Sequence, residues 1–200
     1  RYYQSGFRPS YSTSSALLHI TEEWLDGIDK GEYVGIVMLD LQKAFDTVNH
    51  SILIQKICNY DLSSSVIKWF ESYLKERRHV TTVNGVKSDE QKSICGIPQG
   101  SIMGPLLFIL YINDLPKHVS NVQVSMYADD TALFYSSKDV NHIVDKINSD
   151  LVKVDDWLSR NKLSLNVSKS TFMLIGTSQK LARVSNQDLN VNIKGIRLQR

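Results

Sequence analysis

The sequence predicts an α+β fold, an antiparallel sheet of the ferredoxin-like split βαβ kind with helices on one face, and three observations carry that expectation. Uncharged apolar runs stand at Val34–Leu39 and Thr171–Ile175. Both are too short for a typical helix, and the first, rich in β-branched residues, reads as a strand buried on both faces. Val122, Val124 and Met126 alternate with polar residues, Ala128-Asp129-Asp130 interrupts, and Ala132 and Phe134 alternate again, the pattern of a hairpin with an acidic tip. Helical spacing fills one stretch before this hairpin and a longer one after it, so the order is β, α, β, β, α, β.

Taken in order, Ser12 to Ser15 offer caps for a helix whose apolar residues Leu17, Ile20, Trp24 and Ile28 recur at three- and four-residue steps, and Gly31 closes it. Asp40 ends the first strand. Ser51–Tyr60 and Ser63–Arg77 read as two helices from Ile54 and Ile57 and from Val66, Phe70 and Leu74. Asn84-Gly85, between Val80–Val83 and Val86–Ser88, signals a type I′ hairpin, because that turn needs φ > 0 at both central positions. Gly96–Gly104 is a glycine-punctuated loop. The apolar stretch after it, to about Leu115, predicts a helix buried nearly all round and stopped by Pro116. Residues 50–95 are thereby an insertion between the first strand and this buried helix. Asp139 caps a long helix with Ile143, Ile147, Leu151, Val154 and Leu158 on one face. Val191 to Ile196 looks like a hairpin cut off in its second strand, and with Arg1 in first place it suggests a piece of a longer protein.

With 42% hydrophobic and 22% charged residues over 200 positions, the chain has the composition of a packed domain and not of a disordered one. Cys58 and Cys95 form no C-x-x-C or Cys/His spacing, which argues against a disulfide framework or a structural zinc site and fits a reducing compartment. The longest apolar run, Leu106–Ile112, is far short of a bilayer span, and no signal segment opens the chain. The expectation is a protein that is not secreted and has no membrane partner. The formal charge of +2 is unevenly spread: residues 162–200 hold seven Lys or Arg against the single Asp188, a net +6, which leaves −4 on the rest. Such a division suits a basic surface for a polyanion beside an acidic site, and it equally suits a solvated basic tail.

In a split βαβ sheet the strand after the central hairpin lies antiparallel beside the first strand, so the hairpin tip meets that strand's C-terminal end. Topology therefore brings Asp40 to Asp129 and Asp130. Three neighbouring carboxylates raise one another's pKa, and a divalent cation relieves that penalty. Oxygen-only ligands without Cys or His favour Mg²⁺ or Mn²⁺ over Zn²⁺. Two such ions roughly 3.5 to 4 Å apart serve in-line phosphoryl displacement, the chemistry of polymerases and nucleases. The competing reading is a pair of ordinary turn residues.

Five blocks stand in order along the chain: Gln4-Ser5-Gly6-Phe7-Arg8, Leu39-Asp40-Leu41-Gln42-Lys43-Ala44-Phe45-Asp46, Gly96-Ile97-Pro98-Gln99-Gly100-Ser101, Tyr127-Ala128-Asp129-Asp130, and Leu165-Asn166-Val167-Ser168-Lys169. Together they resemble the fingers-and-palm part of reverse transcriptases, most closely those of non-LTR, jockey-like retrotransposons. The resemblance implies a polymerase palm over 33–49 and 96–176, fingers-type or inserted segments over 1–32 and about 50–95, the start of a primer-grip hairpin region over 177–200, and a missing thumb. It implies an RNA-directed DNA polymerase that adds dNTPs to a DNA primer on an RNA template with two Mg²⁺ ions, Mn²⁺ being the alternative. Such a protein would be made in the cytoplasm and act in the nucleus.

By the same resemblance Asp40, Asp129 and Asp130, with the backbone of Leu41, hold the metals. Phe45 is the steric gate against a ribose hydroxyl; its plain alternative is a core aromatic at a strand end. Arg8 grips the incoming triphosphate, a task suited to a planar, permanently charged fork. Gln99 and Gly100 position the nucleotide, and Pro98 stiffens their loop. Lys169 assists the departing pyrophosphate as a cation or proton donor, or is merely a solvated lysine before a strand. Tyr127 packs beneath the aspartates near the primer end. Arg77 and Arg78 contact phosphates, or simply end a charged helix. Asn166-Val167-Ser168 formally matches a glycosylation sequon, which without a secretory signal is coincidence.

Two rivals fail on chemistry. Asp130-Thr131-Ala132 approaches an aspartic-protease loop but lacks its glycine and a second copy, and Gly100 to Gly104 lacks the Gly-x-Ser-x-Gly spacing of a serine hydrolase. The remaining alternative is a catalytically inactive nucleic-acid-binding remnant.

Overall fold

A computed structural model describes residues 3–75 and 77–199; Glu76, inside the helix expected over 63–77, lies outside the described residues. In chain order the elements are α1 (Thr13–Asp29), β1 (Tyr33–Leu39), α2 (His50–Ile57), α3 (Ser64–Leu74), β2 (Arg78–His79), β3 (Thr82–Val83), β4 (Val86–Lys87) and β5 (Gln91–Lys92). There follow α4 (Met103–Ile112), β6 (Gln123–Tyr127), β7 (Asp130–Ser137), α5 (Val140–Arg160), β8 (Thr171–Ile175), α6 (Ser178–Val184), β9 (Asn192–Ile193) and β10 (Ile196–Arg197). The chain divides into two compact units, Arg1–Gln42 with Asn113–Arg200, and Lys43–Ile112. Among the described residues no helix is long and apolar enough to cross a membrane.

The first unit holds an antiparallel four-stranded sheet in the order β6-β7-β1-β8, with β1 between β7 and β8 as the split βαβ pattern requires. Register runs from Tyr33 opposite Ser137 to Leu39 opposite Thr131. Alternation along β1 sorts the two faces. Gly35 carries α5: a Cβ there would stand 2.3 Å from Ile143 Cγ2, so only glycine admits the helix this close. Val34 and Ile36 face the other way and pack with Ile20 of α1, Ala132 and Phe134, with Trp24 and Ile28 at the margin. Helix α1, which precedes the βαβ pattern, thus covers part of the face that an expectation of helices on one side leaves bare. The rest of that face stays open, with Met38 and Met173 40% and 42% exposed. Each fully buried Ile, Leu or Phe in such a core stabilises it by about 1.5 to 3 kcal/mol.

Ser12 caps α1 through a reciprocal capping box with Ser15, and Asp139 caps α5 by accepting from Asn141 N–H. Leu17, expected on the buried stripe of α1, is 62% exposed, because at the first turns of α1 an apolar groove lies between the helix and Met38 and Tyr127 of the sheet. Asp150, in mid-α5 and fully buried, accepts from the backbone N–H groups of Ser120 (3.0 Å), Asn121 (2.6 Å) and Val122 (2.9 Å) and from Lys153 Nζ (2.6 Å). One carboxylate therefore fastens the segment that delivers β6 to α5. Asn148 does the same for β9, donating to Asn190 O and accepting from Asn192 N–H.

In the second unit α2 packs on α4 and on α3. Tyr111 of α4 is fully buried; its hydroxyl accepts from Asn49 N–H (3.3 Å) and its carbonyl from Lys56 Nζ (2.6 Å). Helix α4 ends at Ile112, three residues before the expected limit, and Pro116 sits inside a separate 3-10 turn, Leu115–Lys117, where its fixed φ fits the first turn. The β3–β4 hairpin turns through Asn84 and Gly85 at φ +49 and +81, the expected type I′ geometry. The pairing of β2 with β5 beneath it, and α6 in the first unit, had no counterpart in the sequence expectation.

Candidate active site

Strand β1 delivers Asp40 and the β6–β7 turn delivers Asp129 and Asp130. Tyr127 pairs with Asp130, leaving Ala128 and Asp129 as the two central residues of the turn. Asp40 and Asp130 each lie one residue beyond the last pair, Leu39–Thr131, and the charge of Asp40 reaches Asp130. Asp130 shares an apolar groove of about 350 Å³ with Leu17, Met38, Tyr127 and Ala132. Burial raises the Asp130 carboxyl above the usual carboxylate range, and the charges of Asp129 and Asp40 raise it further. Among the described residues no Lys, Arg or His forms an ion pair with any of the three. An uncompensated, oxygen-only acidic set of this kind fits a divalent cation. Among the described residues no three His, Cys, Asp or Glu side chains are gathered so that they could hold one metal ion by themselves.

The turn is held from outside the sheet. Residues 3–5 run parallel to β6, with Met126 N–H donating to Tyr3 O (2.7 Å) and Ser5 N–H to Met126 O (2.9 Å). From this segment the buried Gln4 side chain reaches Ala128: its Oε1 accepts from Ala128 N–H (2.9 Å) and its Nε2 donates to Ala128 O (3.0 Å). Ala128 has φ +56, a conformation L residues seldom adopt. Gln4 stands in the first of the five family-like blocks, but its partner lies 124 positions away, and no local pattern signals that contact.

Arg8 is half-buried, donates from Nη1 to Gln4 O (3.1 Å) and lays its guanidinium over the Tyr11 ring at 4.8 Å. The turn bearing Lys169 is tied to Asp40: Asn166 N–H donates to Asp40 O (2.8 Å), and Asp40 N–H donates to Ser170 Oγ (3.2 Å). Lys169 itself is exposed. Leu41 is buried and bridges to Leu165, and Gln42 N–H donates to Ser164 O (2.8 Å). Arg8, Tyr127, Lys169 and the Leu41 backbone thus share the first unit with the three aspartates.

The remaining predicted residues belong to the second unit. Pro98, Gln99, Arg77 and Arg78 line one cavity of about 380 Å³ together with Asp46. Gln99 Nε2 donates to Asp46 Oδ1 (2.8 Å), a partner the sequence reading did not single out. Gly100, at φ +77, is exposed and turns the loop toward Ser101. Arg78 pairs with Glu90 (3.0 Å), and Arg77 lies over the Tyr73 ring. Phe45 is half-buried and stacks on Phe108 with ring centroids 4.4 Å apart, while its carbonyl accepts from Ile97 N–H (2.8 Å).

The family described as "Reverse transcriptase (RNA-dependent DNA polymerase)" matches residues 1–198. The chain is 34% identical over 172 residues to a probable RNA-directed DNA polymerase from transposon X-element of Drosophila melanogaster, and 29% identical over 174 residues to that of the mobile element jockey of Drosophila funebris. Each match covers 84% of this chain and 19% of the relative, so the chain spans about a fifth of the length of these curated proteins. Among solved structures it superposes on telomerase from Candida tropicalis with a TM-score of 0.64 at 14% identity, covering 86% of this chain and 30% of that one. Telomerase from Candida albicans gives 0.62 at 16% identity over 86% of this chain and 32% of that one, and both likenesses concern the fold alone. The chain belongs to the reverse transcriptase family, as a domain of the kind carried by jockey-like retrotransposons.

Proposed function

We propose that the full-length protein is an RNA-directed DNA polymerase that adds dNTPs to a primer 3′-OH on an RNA template, and that Asp40, Asp129 and Asp130 hold the two divalent ions the reaction needs, Mg²⁺ with Mn²⁺ as substitute. The observation that carries the reading is that Asp40 and Asp130 lie one residue beyond the last pair of the β1–β7 register, Leu39–Thr131, where Asp130 feels the charges of both Asp129 and Asp40. Mg²⁺ in nucleotide-transferring sites is held by one or two carboxylates plus substrate phosphates and waters, so the reading does not require three side chains gathered round one ion, which the described residues do not provide. When bound, the ions activate the attacking hydroxyl and stabilise the leaving oxygen.

The chain's own residues do the remaining work. Arg8 holds the triphosphate with a forked pair of donors, and its contact with Gln4 O keeps that fork near the acidic turn. Lys169 supplies positive charge or a proton to the departing pyrophosphate. Gln99, fixed by Asp46, and the Pro98–Gly100 loop orient the nucleotide, Arg77 and Arg78 contact template phosphates, and the Phe45 ring excludes a 2′-hydroxyl. The Leu41 carbonyl is a further metal ligand, and Tyr127 supports the primer end. Primer extension by the full-length protein on matched RNA and DNA templates, with dNTPs and Mg²⁺ or Mn²⁺, tests the reading. Extension on RNA is expected; template binding without extension on either would assign the protein to the inactive remnants.

A further inference from the structure

Ala128 reaches φ +56 within a two-residue turn whose other central residue is Asp129, and a change at Ala128 re-aims both Asp129 and Asp130. Nothing in the Ala128 side chain favours that conformation, so something else holds it. Gln4 has the chemistry to do so. Its side chain is buried, with Oε1 accepting from Ala128 N–H (2.9 Å) and Gly6 N–H (2.8 Å) while Nε2 donates to Ala128 O (3.0 Å). The opposite amide orientation would put an NH₂ against two N–H donors and an oxygen against a carbonyl, so the environment allows one orientation only. Gly6 completes the fit, because a Cβ there would stand 2.3 Å from Ala128 N. A carboxylate in place of the amide has no proton to offer Ala128 O and adds a negative charge beside an acidic turn. An Asn is one methylene too short.

We propose that Gln4 is a positioning residue for the reaction: its amide grips the Ala128 peptide on both sides and thereby fixes how Asp129 and Asp130 are presented to the metals. The inference rests on the reading of those aspartates as metal ligands. Gln4 also carries Arg8 on its own backbone carbonyl, so the triphosphate grip and the acidic turn hang from one residue.

The test uses the full-length protein with Gln4→Ala, Gln4→Glu, and Gln4→Ala combined with Ala128→Gly, alongside Asp129→Asn. Readouts are kcat and KM for dNTP in primer extension, template–primer affinity, Mn²⁺ binding without nucleotide by electron paramagnetic resonance, and thermal unfolding. Gln4→Ala is expected to lower kcat and weaken Mn²⁺ binding on the order of 10- to 100-fold, the range for residues that orient metal ligands, with template–primer affinity unchanged. Gln4→Glu should fare no better despite its shape. Adding Ala128→Gly should recover much of the lost kcat, because glycine takes φ > 0 without being held there. Wild-type kcat in Gln4→Ala or Gln4→Glu overturns the proposal. So does a loss that Ala128→Gly fails to relieve, or a loss shared by template–primer binding or accompanied by unfolding of every Gln4 variant; these assign Gln4 to packing. Normal synthesis by Asp129→Asn would instead remove the metal reading, whereas an inactive Asp129→Asn beside a fully active Gln4→Ala removes only the positioning role.

Discussion

Asp40 and Asp130 each lie one residue beyond the last pair of the β1–β7 register, Leu39 and Thr131, and burial together with the charges of Asp129 and Asp40 raises the Asp130 carboxyl above its usual range. The fold therefore favours the protonated form. What Asp130 contributes to stability is full below the unfolded carboxylate value of about 3.9 and is lost as pH rises through the raised value, so at neutral pH the ionised Asp130 carboxylate opposes folding. Mg²⁺ or Mn²⁺ should raise the unfolding temperature at pH 7. Asp130→Asn should raise it without metal and shrink the metal increment. Calorimetry in EDTA and in metal checks both; an increment of wild-type size in Asp130→Asn would contradict the shared site.

Asp150 has the opposite sign. Its buried carboxylate is held below the usual range by Lys153 and three backbone N–H groups, which together outweigh desolvation. Its stabilisation is present above the unfolded carboxylate pKa and is lost as pH falls through the depressed folded value. Asp150→Ala strands buried donors and should cost on the order of 3 kcal/mol at pH 7. Denaturant titrations from pH 7 into acid, past the unfolded carboxylate value of about 3.9 and on through the depressed one, should show wild-type stability falling toward that of the variant; parallel curves across that whole range would refute the assignment.

The Gln99–Asp46 hydrogen bond, 2.8 Å long and exposed, predicts a smaller effect confined to nucleotide binding. Asp46→Ala should remove about 1 kcal/mol of positioning, roughly a fivefold rise in KM for dNTP at similar kcat. Steady-state primer extension measures the split, and a loss in kcat alone would count against this role for Gln99.

Phe45 is held by its stack on Phe108, so the gate reading makes a paired prediction. Phe45→Val should admit ribonucleotides, narrowing sugar discrimination by about 10- to 200-fold, the span open to a change in apolar bulk. Phe108→Ala should do the same more weakly by letting the ring move. Comparing kcat/KM for dNTP and rNTP decides, and unchanged discrimination in Phe45→Val rejects the gate.

Elements whose reasons are local were readable from the residues. Thr171–Ile175 is a strand with the expected limits, and Asn84-Gly85 turns as its composition demands. Asp40 and the Asp129-Asp130 pair were placed together by topology, since a split βαβ sheet has one place for each strand. Features made by distant partners were not readable. Asp150 stands on the apolar stripe of α5, seven residues after Ile143 and three after Ile147, but the helix does not signal the three backbone N–H groups from 120–122 that satisfy it there, and Gln4 gains its task only from a turn 124 residues away. The exposure of Leu17 escaped for a related reason: helical spacing shows which residues share a face, not how closely the partner beneath approaches it.

The proposal that these aspartates hold the catalytic metals is tested most directly by primer extension on an RNA template with full-length Asp129→Asn, alongside template–primer binding by the same preparation. Synthesis should fall by on the order of 1,000-fold or more, as when the groups that stabilise charge developing in the transition state are lost, while template–primer binding stays at the wild-type level. Undiminished synthesis by Asp129→Asn would contradict it.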